Sequence, residues 1–328
     1  MMNYLLEVEE LVTKFYTVDG VIHAVNGLHF KLKEGETLAI VGESGSGKSV
    51  AMMSLLSLLP TPPAKIEHGA AYFTRKNGRR VNLIQQKYHE LNDIRGGEVG
   101  FIFQDPVTSL NPILPIGKQI SESLIRHLGL STREAYEKSI ELLDRVGIGD
   151  PKLRYRYYPF QLSGGMRQRV MIAIAVACNP SLVIADEPTT ALDVTIQAQI
   201  VDLFKKLRED LKMATIWISH DLGLVATLAD RVLVMYAGQV VETAKVDDLY
   251  ERPMHPYTIG LLGAVPGMGM ERSKRLVSIE GAPPDLMIPI HHCPFTWRCS
   301  RVEKRCWETR PPLIELGGEH EVACFLYE

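Results

Sequence analysis

The sequence predicts an α/β fold with a mostly parallel sheet, carrying an antiparallel β subdomain, a helical subdomain and an irregular C-terminal extension. Three observations carry this expectation. The short, largely apolar runs Thr37–Val41, Leu182–Ala185 and Ala214–Ser219 suit strands buried on both faces. Helix-like stretches separate them, and strands alternating with helices imply a parallel sheet. A glycine-rich loop follows the first run directly and opens a helix.

The elements can be taken in order. Tyr4–Val8 and Ala24–Leu32 read as strands, with Asp19-Gly20 as a turn between strand-like runs. After the run Thr37–Val41 and its loop, a helix is expected from Lys48 to about Leu59, stopped by Pro60, Pro62 and Pro63. Asn77-Gly78 between extended runs predicts a hairpin, because both residues tolerate positive φ. Its basic residues, Arg75, Lys76, Arg79 and Arg80, are expected to form a solvated tip. Residues 105–165 read as mostly helical, and Ile116, Ile120, Leu124 and Leu128 recur every four residues as one apolar stripe. Gly147–Tyr158 reads as loop. Val232–Met235 and Gly238–Val241 read as a second hairpin. Beyond about residue 250 prolines thicken (Pro253, Pro256, Pro266, Pro283, Pro284, Pro289), marking a boundary into the extension.

Composition narrows the function classes. The chain has 328 residues, 46% hydrophobic, with a net charge of -3, so it can build a large core and has no footprint of a general nucleic-acid binder. No apolar run reaches the roughly 18 residues that a membrane-spanning helix needs. The acidic start, MMNYLLEVEE, does not read as a signal peptide. Contact with a membrane is therefore expected through partners.

The loop Gly42-Glu43-Ser44-Gly45-Ser46-Gly47-Lys48-Ser49 matches G-x-x-x-x-G-K-[ST] in full. Its glycines let backbone N–H groups wrap a nucleotide's phosphates, and the helix start adds partial positive charge. Lys48 is placed to reach the terminal phosphates and Ser49 to bind Mg²⁺. Asp186 and Glu187 end a buried strand, where ligands bind in parallel sheets. Asp186 suits a Mg²⁺ ligand, and Glu187 a general base polarising the attacking water. These motifs alone specify a P-loop nucleotidase.

Four further elements follow in order. They are Gln104 in Phe103-Gln104-Asp105-Pro106, Leu162-Ser163-Gly164-Gly165-Met166 at a helix start, Ala191-Leu192-Asp193, and Ile218-Ser219-His220-Asp221. Alone, each is commonplace: a surface glutamine, a helix cap, a satisfied histidine. Together they resemble the Q-loop, signature, D-loop and switch histidine of the ABC ATPases, over residues 4–255. The resemblance implies a RecA-like P-loop core in an ATPase domain over residues 1–255, with its helical subdomain near 105–165 and the extension over 256–328. It implies ATP and Mg²⁺ as cofactors, with Gln104 at the metal or the water and His220 at the γ-phosphate. It also implies a head-to-tail pair of ATPase chains in which Ser163 and Gly165 of one complete the phosphate site of the other, with Asp193 coupling the sites. Met166 stands where glutamine is commoner in the family. The adenine-stacking aromatic falls to Tyr16, with Phe15 as the alternative register.

Within that family, Arg252-Pro253-Met254-His255-Pro256-Tyr257-Thr258 and the segment Gly281–Cys324 resemble the oligopeptide and dipeptide importer ATPases. This implies an ATPase at the cytoplasmic face of the cell membrane, held by two channel subunits and fed indirectly by an extracytoplasmic peptide-binding protein, without nucleic acid. It also implies that the helical subdomain grips the channel subunits, with a groove beside Gln104 to receive a channel helix, while core packing accounts for most of the stripe. Nickel or another small solute, and a non-transport ABC ATPase, are the alternatives.

Cys293, Cys299, Cys306 and Cys324 crowd the extension at C-x5-C, C-x6-C and C-x17-C spacing, wide for structural zinc. Four thiolates suit a [4Fe-4S] cluster, with zinc (helped by His291, His292 or His320) and metal-free thiols as alternatives. The resemblance favours iron–sulfur. Arg298, Arg301, Lys304 and Arg305 lie between the ligands and would offset a cluster's negative charge. Cys178 reads as a buried small residue.

Overall fold

The computed structural model describes residues 4–190, 192–264 and 279–328. Ala191 and Pro266 lie outside them. In chain order the strands are β1 (Tyr4–Thr17), β2 (Gly20–Lys33), β3 (Thr37–Val41), β4 (Ala64–Thr74), β5 (Arg80–Asn82), β6 (Val99–Ile102), β7 (Leu182–Asp186), β8 (Ala214–Ile218), β9 (Arg231–Tyr236), β10 (Gln239–Lys245), β11 (Ile314–Gly317) and β12 (His320–Val322). They form a four-stranded antiparallel sheet, β2-β1-β4-β5, and an eight-stranded sheet, β11-β12-β10-β9-β3-β8-β7-β6.

The stretch β9-β3-β8-β7-β6 is parallel throughout. Every residue of β3, β7 and β8 is buried, as runs without polar alternation require. Ile40 of β3 and Asp186 of β7 both pair with Ile218 of β8. The loops that follow these three strands therefore emerge side by side at one sheet edge. The face toward the antiparallel sheet packs Leu38, Ile40, Ile184, Ile216 and Ile218 against Leu6, Leu28 and Leu32. The opposite face packs Val183, Ala185 and Trp217 against the helices Ile116–Leu128, Thr132–Arg145, Gly164–Val176 and Val194–Leu211.

Several expectations need correction. The helix after the glycine-rich loop ends at Leu55 rather than near Leu59. Ser57 turns to φ 47°, and Arg95 Nε donates to the Leu56 carbonyl at 2.8 Å, so a guanidinium takes an orphan carbonyl of the helix end. The apolar stripe keeps Ile116, Ile120 and Leu124 fully buried but leaves Leu128 48% exposed. Three steps of four residues rotate a position roughly 120° from its start on a 3.6-residue helix. The basic hairpin tip is not simply solvated: Arg75 pairs with Glu98, and Lys76 Nζ donates to the carbonyls of Gly97 and Cys178 at 3.1 Å. It fastens the antiparallel sheet to the parallel one. Residues Pro151–Arg154 form a short helix inside the expected loop.

The extension is also less irregular than expected. β11 and β12 form a hairpin whose second strand pairs antiparallel with β10, through Glu242↔Val322 and Thr243↔Glu321. Glu242 is fully buried and accepts hydrogen bonds from the backbone N–H groups of Met254 and His255 and shares one with His320 Nε2, each at 2.8 Å. A buried carboxylate with three partners is tolerated; one without them is not.

His255 beside it accepts the Tyr257 N–H at Nδ1, 3.1 Å, which requires that nitrogen unprotonated. Burial pushes its pKa down to about 4, against the opposing pull of Glu242. The unfolded chain then binds more protons between pH 6.5 and about 4, so this group's contribution to stability is lost as pH falls through that window. Thermal melts of wild type and His255→Gln across that range should show a shallower pH slope in the variant. Equal slopes would remove His255 as the source.

Candidate nucleotide-binding and hydrolysis site

The phosphate loop is shaped by contacts that only glycine permits. A Cβ on Gly42 would sit 2.2 Å from the Met235 carbonyl oxygen, and one on Gly47 2.4 Å from that of Ala24. Gly47, at φ 95°, caps the helix Lys48–Leu55. The Gly238 N–H donates to the Ser46 carbonyl at 2.9 Å, so the β9–β10 turn braces the loop from behind. Lys48 is buried, and its Nζ donates to the carbonyls of Gly42 and Glu43 at 2.8 and 2.9 Å and to Ser46 Oγ at 3.3 Å. Burial lowers its pKa, while Glu187, Asp186 and Glu43 pull the other way. The ammonium is thus tethered over the space its loop encloses.

The two carboxylates at the end of β7 are differently placed. Asp186 is 5% exposed and accepts the Ser49 hydroxyl at 2.8 Å. Burial raises its pKa most, the Ser49 hydrogen bond opposes that, and neighbouring Glu187 adds to the rise. Glu187 stands at φ 44°, in the left-handed region, a conformation that costs a non-glycine residue energy and recurs at functional sites. Its Oε2 collects the Gln104 amide at 3.1 Å, the Thr190 hydroxyl at 2.9 Å and His220 Nδ1 at 3.2 Å. Gln104 follows β6, Glu187 follows β7 and His220 follows β8, so adjacent parallel strands deliver all three.

Ser163 caps the helix Gly164–Val176 by accepting the Met166 N–H at 3.3 Å, and Asp193 caps Val194–Leu211 by accepting from Ile196 at 2.9 Å. Neither these residues nor Gly165 form hydrogen bonds with the phosphate loop among the described residues. Arg154 Nη1 lies 3.1 Å from the Met166 sulfur, so that side chain packs toward its own helical subdomain. Tyr16 is 47% exposed at the end of β1, hydrogen-bonded to Glu67 and paired with Val21 of β2, the strand whose Ala24 carbonyl abuts Gly47. Thr190 was not singled out from sequence; a threonine after Glu-Pro-Thr carries no signal of its own.

The four tail cysteines are free thiols and line one small cavity of about 20 Å³ with His255, Arg301 and Phe325. The Arg301 N–H lies 3.4 Å from Cys299 Sγ and the Glu303 N–H 3.5 Å from Cys306 Sγ. Among the described residues, however, no three of His, Cys, Asp and Glu stand close enough to form a ready-made metal-ligand set, so the expected cluster of ligands is not preassembled. Burial raises the Cys293 thiol to about 11 and also lifts Cys299 and Cys324. His291, His292 and His320 do not line this cavity; His320 is taken by Glu242. Cys178 is buried, as expected, with its thiol raised to about 11.

A phosphate loop, a hydrogen-bonded Ser49–Asp186 pair beside it and a strained glutamate reached by glutamine and histidine define an ATP-binding cassette of the P-loop class. The ABC transporter family model matches residues 25–190, and the model for the C-terminal region of oligopeptide/dipeptide transporters matches residues 241–306. The chain is 48% identical to the oligopeptide transport ATP-binding protein OppD of Bacillus subtilis over 98% of its own length and 88% of that protein's. It is 46% identical to the dipeptide transport ATP-binding protein DppD of the same organism, over 100% of this chain and 96% of that one. A dimeric ATP-binding cassette solved in a post-hydrolysis state with ADP and phosphate superposes with a TM-score of 0.64 at 29% identity, covering 74% of this chain and 98% of that one. The chain belongs to the ATP-binding subunits of ABC transporters, in the oligopeptide/dipeptide importer family, and is by that membership an ATP-hydrolysing transport subunit.

Proposed function

We propose that this chain powers the import of di- and oligopeptides by hydrolysing ATP at the Gly42–Ser49 loop, as one of two facing ATPase subunits on a pair of channel subunits. The observation that carries the reading is the convergence of Gln104, Thr190 and His220 on one oxygen of Glu187, beside the Ser49–Asp186 pair. Glu187 acts as general base toward a water, His220 senses the γ-phosphate and Gln104 links that region to the helical subdomain. Residues Gly42 to Gly47 and Lys48 cradle the phosphates. Mg²⁺, held by Ser49 and Asp186 with Gln104 nearby, would offset phosphate charge. Ser163 and Gly165 serve the partner's nucleotide, because a helix N-terminus with open space at Gly164 is built to face an anion from another chain. Asp193 couples the two sites, and Tyr16 stacks on adenine. The working division is an ATPase domain over residues 1–255 and an extension over 256–328.

No helix among the described residues is long and apolar enough to cross a membrane. The proposed place of the chain is peripheral, at the cytoplasmic face, through its partners, as the family resemblance implies. The docking face lies on the helical subdomain, where Phe103, Val107, Ile113 and Phe160 are exposed and Tyr158 stacks on Phe160 at 5.6 Å. Phe160→Asp should abolish co-purification with the channel subunits; retained binding would move the docking face elsewhere. Reconstitution with those subunits and a peptide-loaded binding protein tests the whole reading. Peptide-dependent ATPase activity supports it, and stimulation by nickel alone would favour the other solute class.

The tail is proposed to hold a [4Fe-4S] cluster. Four thiols facing one cavity, two already beside backbone N–H groups, form a donor set that fits such a group, which would staple an extension poor in apolar periodicity. Anaerobic purification should give iron and sulfide each near 4 per chain. Stoichiometric zinc without iron would replace this assignment.

A further inference from the structure

The cysteine-bearing segment and the phosphate loop are far apart in sequence and in direct contact in the fold. Arg298 lies between Cys293 and Cys299, yet its side chain is only 4% exposed and points at Glu43. Nη1 donates to Glu43 Oε2 at 2.6 Å and Nη2 to Glu43 Oε1 at 2.9 Å, a two-pronged contact with the second residue of the loop. The remaining donors reach the Tyr236 hydroxyl at 3.2 Å and the carbonyls of Glu280 and Ile279 at 3.0 and 3.3 Å. A guanidinium has five N–H groups, and every one is engaged. Glu43 is held a second time, since its backbone N–H donates to the Tyr257 hydroxyl at 2.8 Å.

The two clamps share a rigid base. Tyr236, Tyr257 and Phe295 pack ring to ring at 4.6–5.5 Å, and Phe295 is two residues from Cys293. Glu43 sits where its carbonyl also anchors Lys48 Nζ, so a shift of this residue moves the ammonium that meets the phosphates. Planar two-oxygen recognition fixes orientation as well as distance, which a lysine cannot reproduce.

We propose that Arg298 is a positioning residue for the phosphate loop, setting it through Glu43 in its nucleotide-receiving conformation from the cysteine-bearing segment. The inference rests on the reading of residues 42–49 as the ATP site. It deepens that reading by making the tail a structural determinant of nucleotide affinity.

The test is equilibrium binding of a fluorescent ATP analogue with Mg²⁺ to the full chain and its variants, with thermal melts as a check on folding. Arg298→Ala should raise Kd about tenfold, within the range of pairwise couplings between contacting residues. Arg298→Lys, which keeps the charge and loses the fork, should fall between, and it stands in if the alanine variant does not fold. Glu43→Ala should match Arg298→Ala, and the double variant should be no worse than the weaker single. If Arg298 only fastens the tail to the core, Tm falls while Kd stays at the wild-type value. That result, or singles whose effects on Kd multiply in the double variant, overturns the proposal. Wild-type chain that bound no nucleotide would overturn the site reading, and this inference with it.

Discussion

Glu187→Gln should lower ATP turnover by about 100- to 10,000-fold, the range that a positioned general base contributes, while ATP remains bound. Glutamine has nearly the shape of glutamate, so the backbone turn at φ 44° and the packing beside β8 can persist. What is lost is the anionic oxygen on which Gln104, Thr190 and His220 converge, and with it the acceptor for a water's proton. The neutral side chain also relieves repulsion with Asp186, whose ionisation Glu187 opposes. Triphosphate should then bind at least as tightly as in wild type. If Ser163 and Gly165 serve the partner's nucleotide as proposed, the variant should accumulate as an ATP-bound dimer, visible by gel filtration with Mg²⁺ and ATP. Turnover near the wild-type rate would transfer the base role to another group.

Lys48→Ala should weaken ATP binding by about 10- to 100-fold. A hydrogen bond to a charged group contributes about 1.5–3 kcal/mol, and each ~1.4 kcal/mol is tenfold in affinity. The loss has two parts. The phosphates lose a buried counter-charge, and the loop loses the donor that holds together the carbonyls of Gly42 and Glu43 and the Ser46 hydroxyl. Calorimetric titration with Mg²⁺-ATP separates this variant from Glu187→Gln, which should bind well and turn over slowly. An unchanged Kd would mean that the ammonium does not face the phosphates.

How much of this was legible in the sequence depended on how locally each feature is encoded. The phosphate loop was fully legible because its chemistry needs eight consecutive residues between a buried strand and a helix. The three buried strands were legible because a strand covered on both faces has no polar alternation to obscure it. Gln104 and His220 carry no meaning alone; their role came from motif order and resemblance, and in the fold both meet Glu187. β6 went unnoticed because Val99–Ile102 is four residues long and follows Gly96-Gly97, a context that reads as loop. Arg75 and Lys76 read as solvated because nothing nearby in sequence announces Glu98 or the Cys178 carbonyl as their partners. The Arg298–Glu43 contact joins positions 255 residues apart, beyond any local pattern.

The pairing of β12 with β10 has a consequence for solubility. β10 would otherwise be the outermost strand of the large sheet, offering unpaired N–H and C=O groups to any passing strand. Its apolar residues Val240, Val241 and Ala244 alternate poorly with charge, and no proline interrupts them. Natural sheets blunt such edges with cover or charge, and here β12 provides the cover while β11, carrying Glu315 and ending at Gly317, becomes the new edge. A chain cut after residue 255 would keep every motif of the ATPase and expose an unpaired strand edge for edge-to-edge association. The extension would in this sense guard against aggregation, stitched to the core through β12.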